Sequence, residues 1–403
     1  MTVPSYRAVL NTPHAARTFS AALVGRLSYG IVYLSLVLAV TRATGSYAVA
    51  GIFTALFGLT SSVLSPLRAR LIERYGLRRV LIPMAFAYAS LLVAIAIATW
   101  RPGVAHPLLW VLAVAAGTCT PPLGPIMRSL WTDLVADEAL RQRAFSLDTV
   151  CEELLYVTGP LLAGLLAAVV NPALGVAVSA ALVVTGSVLL VTSPAVRAIE
   201  PSTAAVPATA AGTGNALLFR PVLVSAAVGM CLGALGLLVV AFADREQHLA
   251  AVAWVEAALA VGSVAGGLAY GAVTWRLPGE VRLPLLAIAL GVSVGLAGLS
   301  GNLVVLVALV GVAGLFISPA LTTAYLLADS AAAPGARLRA GAWVNTAYNV
   351  ASSLGAALAG LLLGRVSVPV AFAVTAAVAV AGGVLVLRKS DSVRVVGAGR
   401  MAR

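Results

Sequence analysis

A chain of 403 residues that is 61% hydrophobic and 10% charged, with mean hydropathy +1.02, is not a water-soluble globule, where about 25% of residues carry charge. The formal charge of +12 does not call for nucleic acid, because the Lys and Arg residues are scattered singly between apolar runs. These values describe an all-α integral membrane protein held in a lipid bilayer.

About 20 apolar residues in a helix cross the hydrocarbon. Twelve such runs are expected, near 18–40, 47–66, 80–99, 108–130, 144–168, 173–193, 219–243, 250–273, 283–299, 302–327, 341–363 and 367–387. The first is too long for a signal-peptide core and is expected to be retained. Of the 26 Lys and Arg residues, all but Arg26, Arg42, Arg101, Arg245 and Arg365 fall in segments that alternate spans place on one side. That alternation supports an even span count and, by the positive-inside rule, puts both termini in the cytoplasm of a cell whose plasma membrane holds the chain.

Cys119, Cys151 and Cys231 lie within expected spans without CxxC spacing, so no disulfide framework, metal site or cofactor is expected. His14, His106 and His248 lie in the N-terminal segment and outer loops, which leaves carboxylates as the proton carriers within the bilayer.

Residues 194–216, rich in Ala, Pro and Thr, read as a flexible cytoplasmic linker between an N-terminal six-helix bundle at 1–193 and a C-terminal one at 217–387, with a tail at 388–403. The halves resemble each other. A shift of 196 lays Arg143 on Arg339, Gly159 on Gly355 and AGLL at 163–166 on AGLL at 359–362; one residue more lays Gly117 on Gly314 and Pro122 on Pro319. Agreement in two consecutive spans at nearly one offset indicates a duplicated, pseudo-symmetric unit.

The fifth span sets three acids into oil. Asp148, Glu152 and Glu153 would each cost a few kcal/mol if ionised against lipid, so they face protein, water or a counter-charge, or carry a proton. Asp148 and Glu152 share one helical face, and Glu153 lies about 100° further round toward Tyr156. Asp148, a turn nearer the arginine-rich side, is expected to reach the inner water. Arg26 sits at the depth of Glu152 on the first span and is a natural partner for it; otherwise it snorkels to the surface. Tyr348 and Asn349, with Asn345 a turn earlier, offer uncharged polar groups from the eleventh span, and Trp343 or Tyr348 would stack on a substrate or simply fill space. Glu256 in the eighth span is either an outer proton or substrate contact or a solvated rim residue. GPLLAG at 159–164 is expected to interrupt the helical ladder at Pro160. Gly262, Gly266, Gly267 and Gly271 read as packing positions.

The segment from Ala69 to Arg79, ARLIERYGLRR, resembles the GxxxDRxGRR loop of major facilitator superfamily transporters. Glu73, Arg74, Gly76, Arg78 and Arg79 keep its chemistry; Ala69 replaces the first glycine, Glu73 the aspartate, and Leu77 interrupts the basic run. The resemblance covers essentially the whole chain and implies twelve helices in two bundles around a central cavity. It further implies that the loop acid engages the start of helix eleven and an arginine near the inner end of helix four, latching the outward-facing state. The matching positions are Glu73, the region after Arg339, and Arg128. GPLLAG resembles the helix-five GPxxGG signature of proton-coupled antiporters at Gly159, Pro160 and Gly164, with Ala163 in place of the first paired glycine.

The expected function is therefore proton-driven export of a small, partly hydrophobic organic compound by alternating access. No GxxxxGKS/T phosphate loop is present to use ATP. Expected partners are the small-molecule substrate, protons and the bilayer, and a monomer is expected to suffice. Import or uniport of a sugar, amino acid or organic acid remains open at this stage. An intramembrane enzyme lacks a His/Asp pair or nucleophile motif, and a non-transporting scaffold would tolerate loss of Glu152 and Arg26.

Overall fold

The computed structural model describes residues 5–198, 211–333 and 335–401, with side chains described outside 198, 211–216 and 389–401. Among them the chain is helical throughout, without strands. Eleven helices are long and apolar enough to cross a membrane, and the bent pair Tyr47–Val63 and Ser65–Tyr75 makes the twelfth span. The others, in order, are Ala15–Thr44, Leu77–Ala98, His106–Leu134, Glu138–Val169, Pro172–Val191, Leu217–Arg245, Leu249–Ala272, Gly279–Ala297, Leu303–Ala331, Arg337–Leu363 and Val368–Arg388. Most of the linker expected at 194–216 lies outside the described residues; its two ends belong to the helices Pro194–Ala198 and Ala211–Arg245. The expected tail begins within the last helix, Val368–Met401.

Polar residues at the membrane boundaries start the helices. Ser46, Asp137, Asn171 and Asn302 each accept a backbone N–H of the first turn, supplying an acceptor that the apolar sequence lacks. The segment read as a loop at 69–79 is mostly helix, ending at Gly76, whose φ of +90° suits glycine and re-aims the chain into the third span.

Three spans are broken: the second at Leu64, the fourth at 120–122, and the tenth between Gly314 and Ile317. The last two are the repeat-related Gly and Pro sites. Breaks at membrane depth free backbone carbonyls, which must find donors within the protein. Buried Arg68 supplies them, donating to Gly117 O at 2.6 Å, Thr118 O at 3.1 Å and Ser61 O, while the Tyr29 hydroxyl donates to Pro121 O. Pro160, by contrast, does not break the fifth helix, which runs unbroken from Glu138 to Val169, contrary to the sequence expectation. One missing N–H within a long, packed helix is tolerated.

Close packing relies on glycine. A Cβ on Gly159 would meet the backbone of Gly30 in the first span, and one on its repeat mate Gly355 would meet Met230 O in the seventh. The fifth span thus lies on the first as the eleventh lies on the seventh, the pseudo-symmetry of two six-helix bundles. Glycines 262 and 266 pack the eighth span on the tenth, whereas 267 and 271 seat it on the fifth, across the boundary between halves.

Candidate functional site

Where the first, fourth and fifth spans converge, two guanidiniums grip two carboxylates. Arg26 Nη1 lies 2.8 Å from Asp148 Oδ1 and its Nη2 3.0 Å from Glu152 Oε1. Arg128 Nε lies 3.1 Å from Asp148 Oδ2, and its Nη2 pairs with Glu152 Oε2. Arg26, Arg128 and Asp148 are at most 3% exposed, and Glu152 is 20% exposed. The helical spacing of Asp148 and Glu152 delivers both to one face, where each meets both arginines. Two positive and two negative charges cancel, the arrangement in which buried ions persist in a low-dielectric medium.

Arg128 is therefore not a partner of Glu73, the position the family resemblance gave it, and Asp148 is enclosed rather than open to the inner water. The fourth span is broken at 120–122, and its inner half carries Arg128 against the fifth span, where with Arg26 it encloses Asp148. Tyr325 of the tenth span lies on the other face of Arg128, its ring centroid 3.6 Å from the guanidinium carbon, and its hydroxyl donates to Asn345 Oδ1 at 3.3 Å. A C-terminal aromatic thus covers an N-terminal charge cage.

Glu153 stands apart. Among the described residues it has no hydrogen bond or ion pair; its electrostatic neighbours are Glu152 and Tyr348. Tyr156, one turn on, is 53% exposed and within electrostatic reach of Tyr348 in the opposite half. Among the described residues Asn349 and Trp343 make no side-chain hydrogen bond, and Glu256 is exposed and without an ion pair.

On the arginine-rich side the two halves are sewn together. Glu73 Oε1 accepts the Arg339 N–H at 2.8 Å, so the loop acid does meet the first turn of the eleventh span, where a helix N-terminus favours an anion. Thr346 donates to Ser62 O at 2.8 Å, Thr132 to Asp329 Oδ2 at 3.0 Å, and Arg337 lies 3.4 Å from Asp133. Gln142 donates to Tyr270 O at 3.1 Å and accepts from Arg282, and buried Arg143 donates to Ala272 O at 3.2 Å. Arg74, Arg78 and Arg79 are exposed and take no part in this seam.

Sequence reasoning missed Arg68, Arg143, Arg282 and Tyr325. In the sequence these arginines read as topology signals, and a lone Tyr in an apolar span carries no mark of its partner. The available clue was position: Arg143 and Arg339 are repeat mates at the two starts of seam helices.

A multi-pass membrane protein of two six-helix bundles, with a buried charge cage in the first bundle covered by an aromatic of the second, fits the transporter class. The sequence matches the Major Facilitator Superfamily over residues 18–288, and the chain belongs to that family. No curated protein matches it significantly. Among solved structures, a bacterial homologue of the iron transporter ferroportin in its outward-facing state is 16% identical, with TM-score 0.72 over 92% of this chain and 96% of that one. The E. coli fucose:proton symporter is 14% identical, with TM-score 0.66 over 94% and 99%. At these identities the likeness concerns the fold.

Proposed function

We propose that the chain is a proton-coupled secondary transporter that exports a small, partly hydrophobic organic compound across the plasma membrane by alternating access. The carrying observation is the contrast between a seam closed by Glu73 and its neighbours and an uncommitted acid, Glu153, beyond the charge cage. The positive-inside rule places the sewn side and both termini in the cytoplasm, which makes the conformation outward-facing. The bundles at 1–193 and 217–387 then rock as units about the cage, tethered by residues 194–216 and followed by the tail 388–403. The Glu73 to Arg339 contact acts as the latch on the outward-facing state, and the cage holds the pivot.

Energy comes from protons rather than a bound nucleotide, and the fifth-span acids carry the coupling. Everted membrane vesicles test this reading. Export coupled to protons predicts substrate uptake that collapses on adding a protonophore. Uptake indifferent to the gradient removes the coupling, and flux only in the opposite direction replaces export by import.

A further inference from the structure

We infer that the segment ahead of the first span, residues 5–14, is a strap that crosses from the first half to the second and holds the arginine-rich side closed, with the Tyr6 hydroxyl as its fastening. This rests on the alternating-access reading above and adds a conformational device to it.

The course of the strap is set locally. Tyr6–Leu10 is a five-residue helix, ended by the Asn11 N–H donating to Arg7 O at 2.9 Å. The chain then reverses at His14, whose φ of +65° lies in the left-handed region that His tolerates better than most side chains, and enters the first span at Ala15. Val9 is fully buried, and the short helix packs on the first and fifth spans. So far every contact lies within the first half.

Tyr6 goes further. Its hydroxyl donates to Leu268 O at 2.6 Å, on the eighth span of the other half. Gly271 makes the landing place: a Cβ there would lie 2.2 Å from the Tyr6 oxygen and 2.8 Å from Ser146 Oγ, and the Ser146 hydroxyl in turn donates to Gly267 O. Only a residue without a side chain lets the phenol reach the helix backbone at this point. Gly271, a packing position in the sequence, therefore packs against the strap as well as against the fifth span.

A segment that merely completed the first bundle would place its hydroxyl on that bundle or in water. Tyr6 instead uses its one donor across the seam, beside the fifth-span donors Gln142 and Arg143 that meet Tyr270 O and Ala272 O at the same helix end. Those two belong to a spanning wall. Tyr6 is half-buried, lies outside the spans, and must leave Leu268 O whenever the bundles part on this side. Loss of one neutral hydrogen bond shifts such an equilibrium by about two- to tenfold.

The test is the distance across the arginine-rich side, read from spin labels on the inner ends of the two bundles with the full chain in lipid nanodiscs. Tyr6→Phe keeps the ring and removes only the donor. It should raise the population open on that side about two- to tenfold, both in the parent and in Glu73→Ala, while its melting temperature stays at the parent value. Gly271→Ala, whose methyl carbon would meet the hydroxyl, should also open the seam, and by a smaller factor once Tyr6 is Phe. Unchanged distances in Tyr6→Phe in both backgrounds, or a lowered melting temperature with no change in distances, would overturn the strap. A seam that opens in Glu73→Ala but gains nothing from Tyr6→Phe removes the strap alone, whereas a seam that opens in no variant removes the strap together with the rocking motion on which it rests.

Discussion

Arg128 and Tyr325 meet across the boundary between the two halves, the guanidinium carbon 3.6 Å above the ring, so the same arginine that neutralises Asp148 and Glu152 also bridges the bundles. Arg128→Met would leave two buried carboxylates with one cation, and breaking a buried pair in this way costs about 3–5 kcal/mol. Its melting temperature in detergent should fall well below that of Tyr325→Leu, which loses a stacking contact of up to about 2 kcal/mol and keeps the charges balanced. Equal effects would mean the cage carries no special electrostatic burden.

Glu73 joins a carboxylate to the first turn of the eleventh span. A charge-assisted hydrogen bond is worth about 1.5–3 kcal/mol, so Glu73→Ala should shift the conformational balance toward opening on the arginine-rich side by about tenfold or more. Spin labels placed at both ends of the bundles should report longer distances across the sewn side and shorter ones across the other. Unchanged distance distributions would show that Glu73 does not hold the seam.

Gly159 and Gly164, both in the antiporter-like hexapeptide, have different surroundings. A Cβ on Gly159 runs into Gly30, whereas nothing lies within 4 Å of one on Gly164. Gly159→Val should cost about 1–3 kcal/mol through overpacking and lower folded yield, while Gly164→Ala should melt like the parent. A stable, silent Gly159→Val would contradict the packing role.

Arg68 fills gaps left by broken helices. Each stranded buried carbonyl costs about 1–3 kcal/mol, so Arg68→Met should be strongly destabilising in a thermal-shift assay while reporter fusions show the same topology. Altered topology with unchanged stability would return Arg68 to a purely topogenic role.

The sequence displayed what depends on one helix and hid what depends on several. Span number and the repeat follow from apolar length and internal offset, and the breaks in the fourth and tenth spans fall at the matched Gly and Pro positions. The shared face of Asp148 and Glu152, and the depth of Arg26 beside them, follow from helical geometry. The family resemblance puts Arg128 at the latch; the kink at 120–122 that precedes it in the structure, where Arg68 and Tyr29 donate to the freed carbonyls, is not written in one helix's pattern. Pro160 reads as a break and is not one, because one missing N–H within a long, packed helix is tolerated. Tyr325 reached the site through tertiary packing alone.

The central claim is that acids of the fifth span couple the export of a small organic compound to the movement of protons. The most direct measurement is internal pH in proteoliposomes loaded with a compound that the protein carries and diluted into compound-free buffer, with protein-free liposomes as the control. Exit of the compound should acidify the interior in the wild type, and the double variant Glu152→Gln, Glu153→Gln should abolish the acidification. Exit at the wild-type rate with no accompanying proton movement would contradict the account.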